Sequence, residues 1–268
     1  MKILNFKMKL PSFREMSGKK KLLYGGAAFL LALVILSVST VGDAILASAV
    51  KRDLPIYCVE KTGKVVALSF DAAWGNEDTQ ELIDILGKYD IKATFFVVGE
   101  WVDKYPESVK ALHEAGHEIM NHSDDHPHMN KMSEDEIIAN VKACNEKIAA
   151  ITGITPTLFR APYGEYNDKV VGTLRSMGMY TIQWDVDSLD WKDLSAVEIK
   201  DRVLKKVNPG SIVLFHNAAK NTPAALPSII DGLIQKGYSF APLTKFIMTE
   251  NYEIDHSGKQ ISASYRAE

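Results

Sequence analysis

Short apolar runs alternate with amphipathic helical segments through residues 65 to 241 of this 268-residue chain. In two segments, Asp78–Tyr89 and Ser133–Ile151, apolar side chains recur at about 3.6 residues, the helical period. Ser133 and Glu136 form a capping-box motif that predicts where the second helix begins. This alternation predicts a parallel sheet with right-handed crossovers, either a barrel or a doubly wound sheet. The predicted strands are Val65–Phe70, Ala93–Val98, His117–Met120, Thr157–Phe159, Tyr180–Trp184, Ile212–Phe215 and Tyr238–Ala241.

Polar side chains follow five of these predicted strands. The carboxyl ends of parallel strands share one face, which is where barrel enzymes build their sites. The pattern therefore predicts one common site, and it weighs against Asp71 being a turn residue or a helix cap. The residues concerned are Asp71, His122, Arg160, Asp185, Asp187 and His216.

The run "NHSDDHPH" suggests a metal site. His122 and His126 are four residues apart, so on a helical turn both rings would face one divalent metal. Taken alone, two histidines at this spacing are more often a coincidence on the protein surface. Here they follow a predicted strand at the common rim, and this position favours their being metal ligands. Asp124 and Asp125 could bind metal or cap the turn, and we favour capping. His128 is interpreted as a loop residue.

Three further motifs are ambiguous when taken singly. Arg160 could hold a carboxylate ionised through a two-pronged hydrogen bond, or form a structural ion pair. The run "WDVDSLDW", from Trp184 to Trp191, places acids beside tryptophans, as in carbohydrate sites, although paired tryptophans are as often core packing. His216, after an apolar strand, could be a core histidine.

Taken together, "SFD", "KATFFVVG", "GHEIMNHSDDHP", "RAPYG", "DSLDW" and "GSIVLFH" occur in an order that resembles the polysaccharide deacetylase family, carbohydrate esterase family 4. The resemblance spans about Lys64 to Ile247. It implies an α/β fold, a distorted (β/α)7 barrel in a single domain. The implied activity is metal-assisted removal of N-acetyl groups from polysaccharide, with peptidoglycan as the expected substrate.

The resemblance also implies roles for the polar residues. His122 and His126 would bind a divalent metal, zinc first, with cobalt or another metal as an alternative. Asp71 would be the base that activates water. His216 would be the general acid that protonates the leaving amine, and Asp190 would tune it.

The remaining implied roles concern orientation and substrate binding. Arg160 would orient Asp71. The backbone N–H of Tyr163 would face the developing oxyanion, and Leu214 and Trp191 would shape the acetyl pocket.

The sequence departs from the family pattern at Ala72. The usual first motif has two adjacent acids, a base and then a third metal ligand, and here the second position is alanine. Metal binding should then be weaker, unless Asp125 or Asp71 itself takes the third position. The alternative function is therefore a catalytically inactive, glycan-binding member of the family.

The amino-terminal region predicts a membrane anchor. Residues 1 to 21 carry a net charge of +6, and residues 22 to 42 are uncharged, long enough as a helix to cross about 30 Å of hydrocarbon. A cleaved signal peptide ending at "ASA", residues 47 to 49, is the alternative. The positive-inside rule predicts a cytoplasmic amino terminus and an extracytoplasmic domain at the cell membrane.

The predicted organisation is a leader at 1–21, an anchor at 22–42, a linker at 43–63, the deacetylase domain at 64–248 and a polar tail at 249–268. An anchor with the "FDAAWG" motif looks most like the sporulation-associated branch of the family. Residues after 21 carry a net charge of −9, which argues against nucleic-acid binding. We predict no protein partner. Cys58 and Cys144 could pair or remain free.

Overall fold

The computed structural model describes residues 17–19 and 52–263. The predicted anchor at 22–42 lies outside the described residues, as does almost all of the basic leader, so both stay predictions. Within the described ranges, no helix has the length and apolar character needed to cross a membrane.

The strands found in residues 52–263 include all seven predicted ones, with adjusted ends. The longest of them runs two residues further than predicted and takes in Asp71. The strands are β1 (Cys58–Val59), β2 (Val65–Ala72), β3 (Thr94–Val97), β4 (Glu118–Asn121), β5 (Leu158–Phe159), β6 (Tyr180–Thr181), β7 (Val186–Asp187), β8 (Ile212–His216), β9 (Ser239–Phe240), β10 (Tyr252–Ile254) and β11 (Lys259–Ser262).

Helices connect these strands. The predicted capping box is confirmed: the Ser133 hydroxyl accepts the Glu136 backbone N–H, and the Glu136 carboxylate accepts that of Ser133. The α-helices of the described region are α1 (Thr79–Lys88), α2 (Gly99–Lys104), α3 (Pro106–Glu114), α4 (Glu134–Thr152), α5 (Asp168–Ser176), α6 (Ala196–Lys206), α7 (Thr222–Gln235) and α8 (Leu243–Phe246).

The main sheet is parallel and curled, with strand order β6-β5-β4-β3-β2-β8-β7 and β9 beside the start of β2. Together with its surrounding helices it confirms the distorted (β/α) barrel. The register pairs Asp71 of β2 with His216 of β8. Because the strands are parallel, their carboxyl ends meet at the same edge of the sheet.

Residues 56–59 lie between the two ends of this sheet. Ile56 donates its N–H to the carbonyl of Thr181 in β6, and Val59 donates its N–H to the carbonyl of Gly210 just before β8. Both side chains are buried, and β1 extends a small second sheet with β11 and β10. Segments that we predicted as linker and polar tail thus contribute residues to the folded body.

Side chains of β2 alternate between two environments, as a strand requires. Phe70 and Ala72 pack in the large apolar cluster that also contains residues of the surrounding helices. Ala67 packs in a second cluster with Phe96, on the inner side of the curled sheet. The alternation places Asp71 on the inner side, where the polar residues gather.

The two cysteines are free. Cys144 is buried within α4, where its Sγ lies 3.4 Å from the carbonyl oxygen of Val97. Burial raises the pKa of the Cys144 thiol well above its usual range, so this side chain is an unreactive core residue.

Candidate active site

A cavity of about 400 Å³ opens where the carboxyl ends of the barrel strands meet. Seven of the nine predicted site residues line it, whereas Arg160 and Asp190 do not and are essentially fully buried. Tertiary folding thus brings together residues up to 145 positions apart in the chain. The lining residues are Asp71, Ala73, Trp74, His122, His126, Tyr163, Gly164, Trp184, Asp187, Trp191, Leu214 and His216.

Asp71 is held by the buried guanidinium of Arg160. Arg160 Nη1 donates to Asp71 Oδ1 at 2.7 Å, and its Nη2 donates to Ser69 Oγ at 2.8 Å and to the carbonyl of Gln183 at 3.2 Å. Burial opposes the charge on Asp71, but the charge and hydrogen bond of Arg160, together with His122 and His216, outweigh it and hold the pKa of Asp71 below its usual range. The carboxylate is therefore ionised at neutral pH, with Oδ2 left for other partners.

His216 is oriented by Asp190. Its Nδ1 lies 2.8 Å from Asp190 Oδ1, and because a carboxylate oxygen accepts, Nδ1 carries the hydrogen and Nε2 is available for proton transfer. Asp190 also accepts from the backbone N–H groups of His216 and Trp191 and from the Thr222 hydroxyl. Burial acts to lower the pKa of His216, but the hydrogen bond and charge of Asp190 outweigh it and raise the pKa.

The loop after β4 brings His122 and His126 together, but the predicted helical turn is wrong. Ser123 and His126 have left-handed backbone angles, φ 73° and 55°, and the Ser123 hydroxyl accepts the N–H of His126. This turn still places the two imidazole rings 5.1 Å apart, centroid to centroid. Burial lowers the pKa of both histidines, that of His126 to about 4, so both rings are neutral at neutral pH.

The acids of the same loop point elsewhere. Asp124 pairs with Lys147 at 2.7 Å, and Asp125 accepts a hydrogen bond from Asn140, both partners on α4. Asp125 is thereby held by a helix that lies outside the cavity wall, although sequence reasoning kept it as a possible third ligand. His128 stacks on Tyr163, with ring centroids 4.6 Å apart.

The structure differs from the sequence-based prediction in the position of Asp185 and in two supporting hydroxyl groups. Asp185, predicted on the common rim, accepts hydrogen bonds from Ser211 and Ile212 at the opposite end of β8, because it precedes the short β7 instead of following a strand. The hydroxyls of Ser69 and Thr222, which support Arg160 and Asp190, were not predicted. Ser69 was detectable as a residue two before Asp71, on the same strand face.

Comparison with known proteins identifies the family. The family model described as polysaccharide deacetylase matches residues 59–182. A Bacillus cereus peptidoglycan-N-acetylglucosamine deacetylase is 35% identical over 188 residues, which cover 69% of this chain and 68% of that protein. This chain belongs to the polysaccharide deacetylase family. The resemblance inferred from the six motifs is confirmed.

Two other relatives are a named deacetylase and a structurally characterised pseudoenzyme. A Listeria monocytogenes peptidoglycan-N-acetylglucosamine deacetylase is 36% identical over 76% of this chain, which matches 43% of that protein. The crystal structure of a carbohydrate esterase family 4 pseudoenzyme from Bacillus anthracis has a TM-score of 0.70 and 38% identity, covering 72% of this chain and 68% of that one. The chain spans about half the length of several curated relatives that it matches.

At Ala72 this family member has a buried methyl group in place of the second acid. Ala72 is fully buried at the end of β2, its carbonyl accepts the N–H of Val98, and it belongs to the large apolar cluster. In the part of the chain that the structure describes, no group of three or more His, Cys, Asp or Glu side chains is arranged to hold a metal ion. Position 72 therefore does not supply the third metal ligand that the family pattern predicts.

The remaining donors nevertheless suit a cation. His122 Nδ1 donates to the Arg160 carbonyl at 2.8 Å, so its Nε2 presents a lone pair. That nitrogen lies 3.5 Å from Asp71 Oδ2, a second lone-pair donor, and His126 is adjacent. Two facing lone pairs repel each other unless a proton or a cation lies between them. The donors thus fit a divalent cation held by few protein ligands.

Proposed function

We propose that this chain is a metal-dependent hydrolase that removes N-acetyl groups from cell-wall polysaccharide, with peptidoglycan as its substrate. The observation that carries the proposal is the pairing of Asp71 with His216 on neighbouring strands, both lining one cavity. The lowered pKa of Asp71 keeps its carboxylate ionised, and the raised pKa of His216 favours the protonated imidazole. The peptidoglycan deacetylases among its relatives support the substrate class.

Asp71 is suited to receive a proton from the attacking water. Its Oδ1 is committed to Arg160, so Oδ2 is the oxygen that faces the reacting water. A carboxylate with a lowered pKa is a weak base, so the water must itself be acidified. A divalent cation bound by His122 and His126 would lower the pKa of that water and polarise the amide carbonyl.

His216 is suited to complete the reaction. As the water oxygen bonds to the acetyl carbon and the C–N bond breaks, Nε2 of His216 gives its proton to the departing nitrogen. The products are acetate and a free amine on the sugar. Asp190 stabilises the protonated imidazole before this step and keeps Nε2 directed away from itself.

Three lining residues would position the substrate. Leu214 is buried in the cavity wall and Trp191 is 55% exposed, so together they offer an apolar surface to an acetyl methyl group. Tyr163 follows Pro162 with a left-handed φ of 59°, a strained backbone that aims this turn at the cavity. We assign its N–H to the oxyanion that develops on the carbonyl.

A second candidate function is an inactive glycan-binding protein. It is favoured by Ala72, which removes the usual third ligand, and by the structural similarity to a family pseudoenzyme. It is disfavoured by the retained Asp71–Arg160 and His216–Asp190 pairs, because binding a neutral sugar requires neither a base nor an acid.

The test is acetate release by the full chain from N-acetylglucosamine oligosaccharides and from purified peptidoglycan, after metal removal and after adding Zn²⁺ or Co²⁺. Release that depends on added metal supports the enzyme. A complete absence of acetate with every metal and both substrates would refute it, and glycan binding without release would establish the second candidate.

We also propose that the chain is anchored in the cell membrane with its folded domain outside, in a sporulation context. The support is the charge asymmetry around the uncharged run at 22–42 and the resemblance of the "FDAAWG" motif. Protease treatment of intact cells should digest the folded domain. Recovery of the whole chain in the cytosolic fraction would contradict the anchor.

A further inference from the structure

Exposed aromatic rings gather at the mouth of the cavity. Trp74, Tyr163 and Trp191 are 60%, 59% and 55% exposed, and all three line the cavity that contains Asp71 and His216. The other large apolar side chains exposed in the described region, Ile154, Val197 and Ile234, are aliphatic and do not line it. Within residues 52–263, strongly exposed aromatic rings are thus confined to this site, which indicates a role in binding.

Trp74 has no role in the catalytic scheme, yet its backbone is firmly held. The Trp101 indole N–H donates to the carbonyls of Trp74 and Gly75, at 2.9 and 2.6 Å. The Asn217 side-chain amide donates to the same two carbonyls, both at 2.8 Å. Trp101 and Asn217 are themselves buried, so the chain beneath the exposed indole is anchored on both sides.

This anchoring ties Trp74 to both catalytic groups. Trp74 lies three residues after Asp71, and Asn217 directly follows His216 while donating its backbone N–H to the Asp71 carbonyl. The Trp74 ring packs on His126, with centroids 5.8 Å apart. The indole is therefore a preorganised surface at a set position beside the reacting groups.

We propose that Trp74 is a stacking surface for a second pyranose ring of the polysaccharide, adjacent to the sugar whose acetyl group is removed. The inference rests on the proposed function for the site but concerns substrate length. Pyranose rings present C–H groups on one face, and these pack against the electron-rich face of an indole.

The strand order indicates that Trp74 and Trp191 contact two different sugar rings instead of the same one. Trp74 follows β2 and Trp191 follows β7, two strands away, so their loops start about 10 Å apart at the usual strand spacing. A single sugar with its acetyl group beside Trp191 and Leu214 leaves the indole of Trp74 for the next ring along. The site then prefers chains to isolated sugars.

The test measures binding by calorimetry, using the full chain with N-acetylglucosamine and its oligosaccharides of up to six rings, and with glycan strands from peptidoglycan as a second ligand. We expect Trp74→Ala to weaken binding of the hexasaccharide roughly tenfold, and that of the monosaccharide, which has no second ring, much less. Trp74→Phe keeps an aromatic face and should retain most of the affinity. Ile234→Ala removes an exposed apolar side chain elsewhere and is the matched control.

Three outcomes overturn the inference. The first is hexasaccharide binding unchanged in Trp74→Ala, and the second is an equal loss for the monosaccharide and the longer chains, which would assign Trp74 to the catalytic pocket itself. Failure of the wild-type chain to bind any oligosaccharide overturns it as well. Absence of acetate release instead contradicts the enzyme proposal and leaves the binding comparison valid. A difference between the two ligand series identifies which polymer the second ring comes from.

Discussion

The two halves of the site differ in how completely their polar groups are satisfied. The acid side of the site consists of His216 and Asp190. Asp190 accepts hydrogen bonds from His216 at the end of β8, from Trp191 and from Thr222 at the start of α7. On the water side, Oδ2 of Asp71 and Nε2 of the neutral His122 lie 3.5 Å apart, and a methyl group occupies position 72. The acid side is complete in the protein alone, whereas the water side would be completed by the cation of the proposed mechanism.

The largest effect is expected from Asp71→Asn, on the water side. The amide cannot accept the proton of water and is a poor cation ligand, so acetate release should fall by about 10⁴-fold or more. Measured metal content separates the two possible roles: retained metal indicates a base, and lost metal indicates a ligand. Acetate release close to that of the wild type would contradict both roles.

On the acid side, His216→Ala should lower kcat by about 10³-fold, because the amine then leaves without a positioned proton donor. Metal content should stay unchanged, since His216 is not among the proposed ligands. Single-turnover acetate release and metal analysis of the same preparation check the two statements. If His216→Ala lost metal as well as activity, the acid side and the water side would not function independently of each other.

Restoring the missing acid should strengthen the water side. Ala72→Asp is expected to tighten metal binding about tenfold, because a carboxylate is disfavoured in the apolar cluster and, by turning toward the cavity at the end of β2, adds an anionic oxygen to two neutral nitrogens. The same change should lower the melting temperature of the metal-free protein, because position 72 is fully buried in an apolar cluster. Metal titration and thermal melts measure both effects.

Ala72→Asn is the matched control for that substitution, since it has the same shape without the charge. It should lower the melting temperature with no gain in metal affinity. Equal metal affinity in the two variants would show that the residue at 72 does not reach the cation.

The smallest effect concerns pH. In the proposed mechanism His216 acts when protonated, and its pKa is raised, so activity should persist above the usual imidazole range and decline as pH rises through that raised pKa. Asp190→Asn removes the charge that raises it, so the high-pH decline of kcat should move to lower pH. A decline at the same pH in both proteins would disconnect Asp190 from His216.

Much of the fold could be predicted from the sequence, because β2 to β6, β8 and β9 follow a regular pattern. Apolar strands separated by amphipathic helices are local signals, and they located Val65–Ala72 and the capping box at Ser133. The short strand at Val186–Asp187 and the pair at Tyr252–Ser262 escaped, because polar residues interrupt their apolar side chains and leave no apolar run like those that marked the equally short β5, β6 and β9.

The candidate site divides in the same way. Residues such as Asp71, His122 and His216 were found because each follows a predicted strand, a property written in the local sequence. Asp185 was misplaced, since the strand beside it was not detected. The left-handed turn at Ser123 and His126 was also missed, because it depends on a hydroxyl that accepts a backbone N–H.

The sequence by itself determined the parallel barrel, the family and the identity of the acids and imidazoles near the strand ends. Only the tertiary structure decided that Asp125 is tied to Asn140, that Ala72 packs into the apolar cluster and that Trp74 stands exposed beside the cavity. The physical reason is range: strand and helix periodicity is set by neighbours in the chain. The direction and partners of a side chain are set by residues that only folding brings within contact distance.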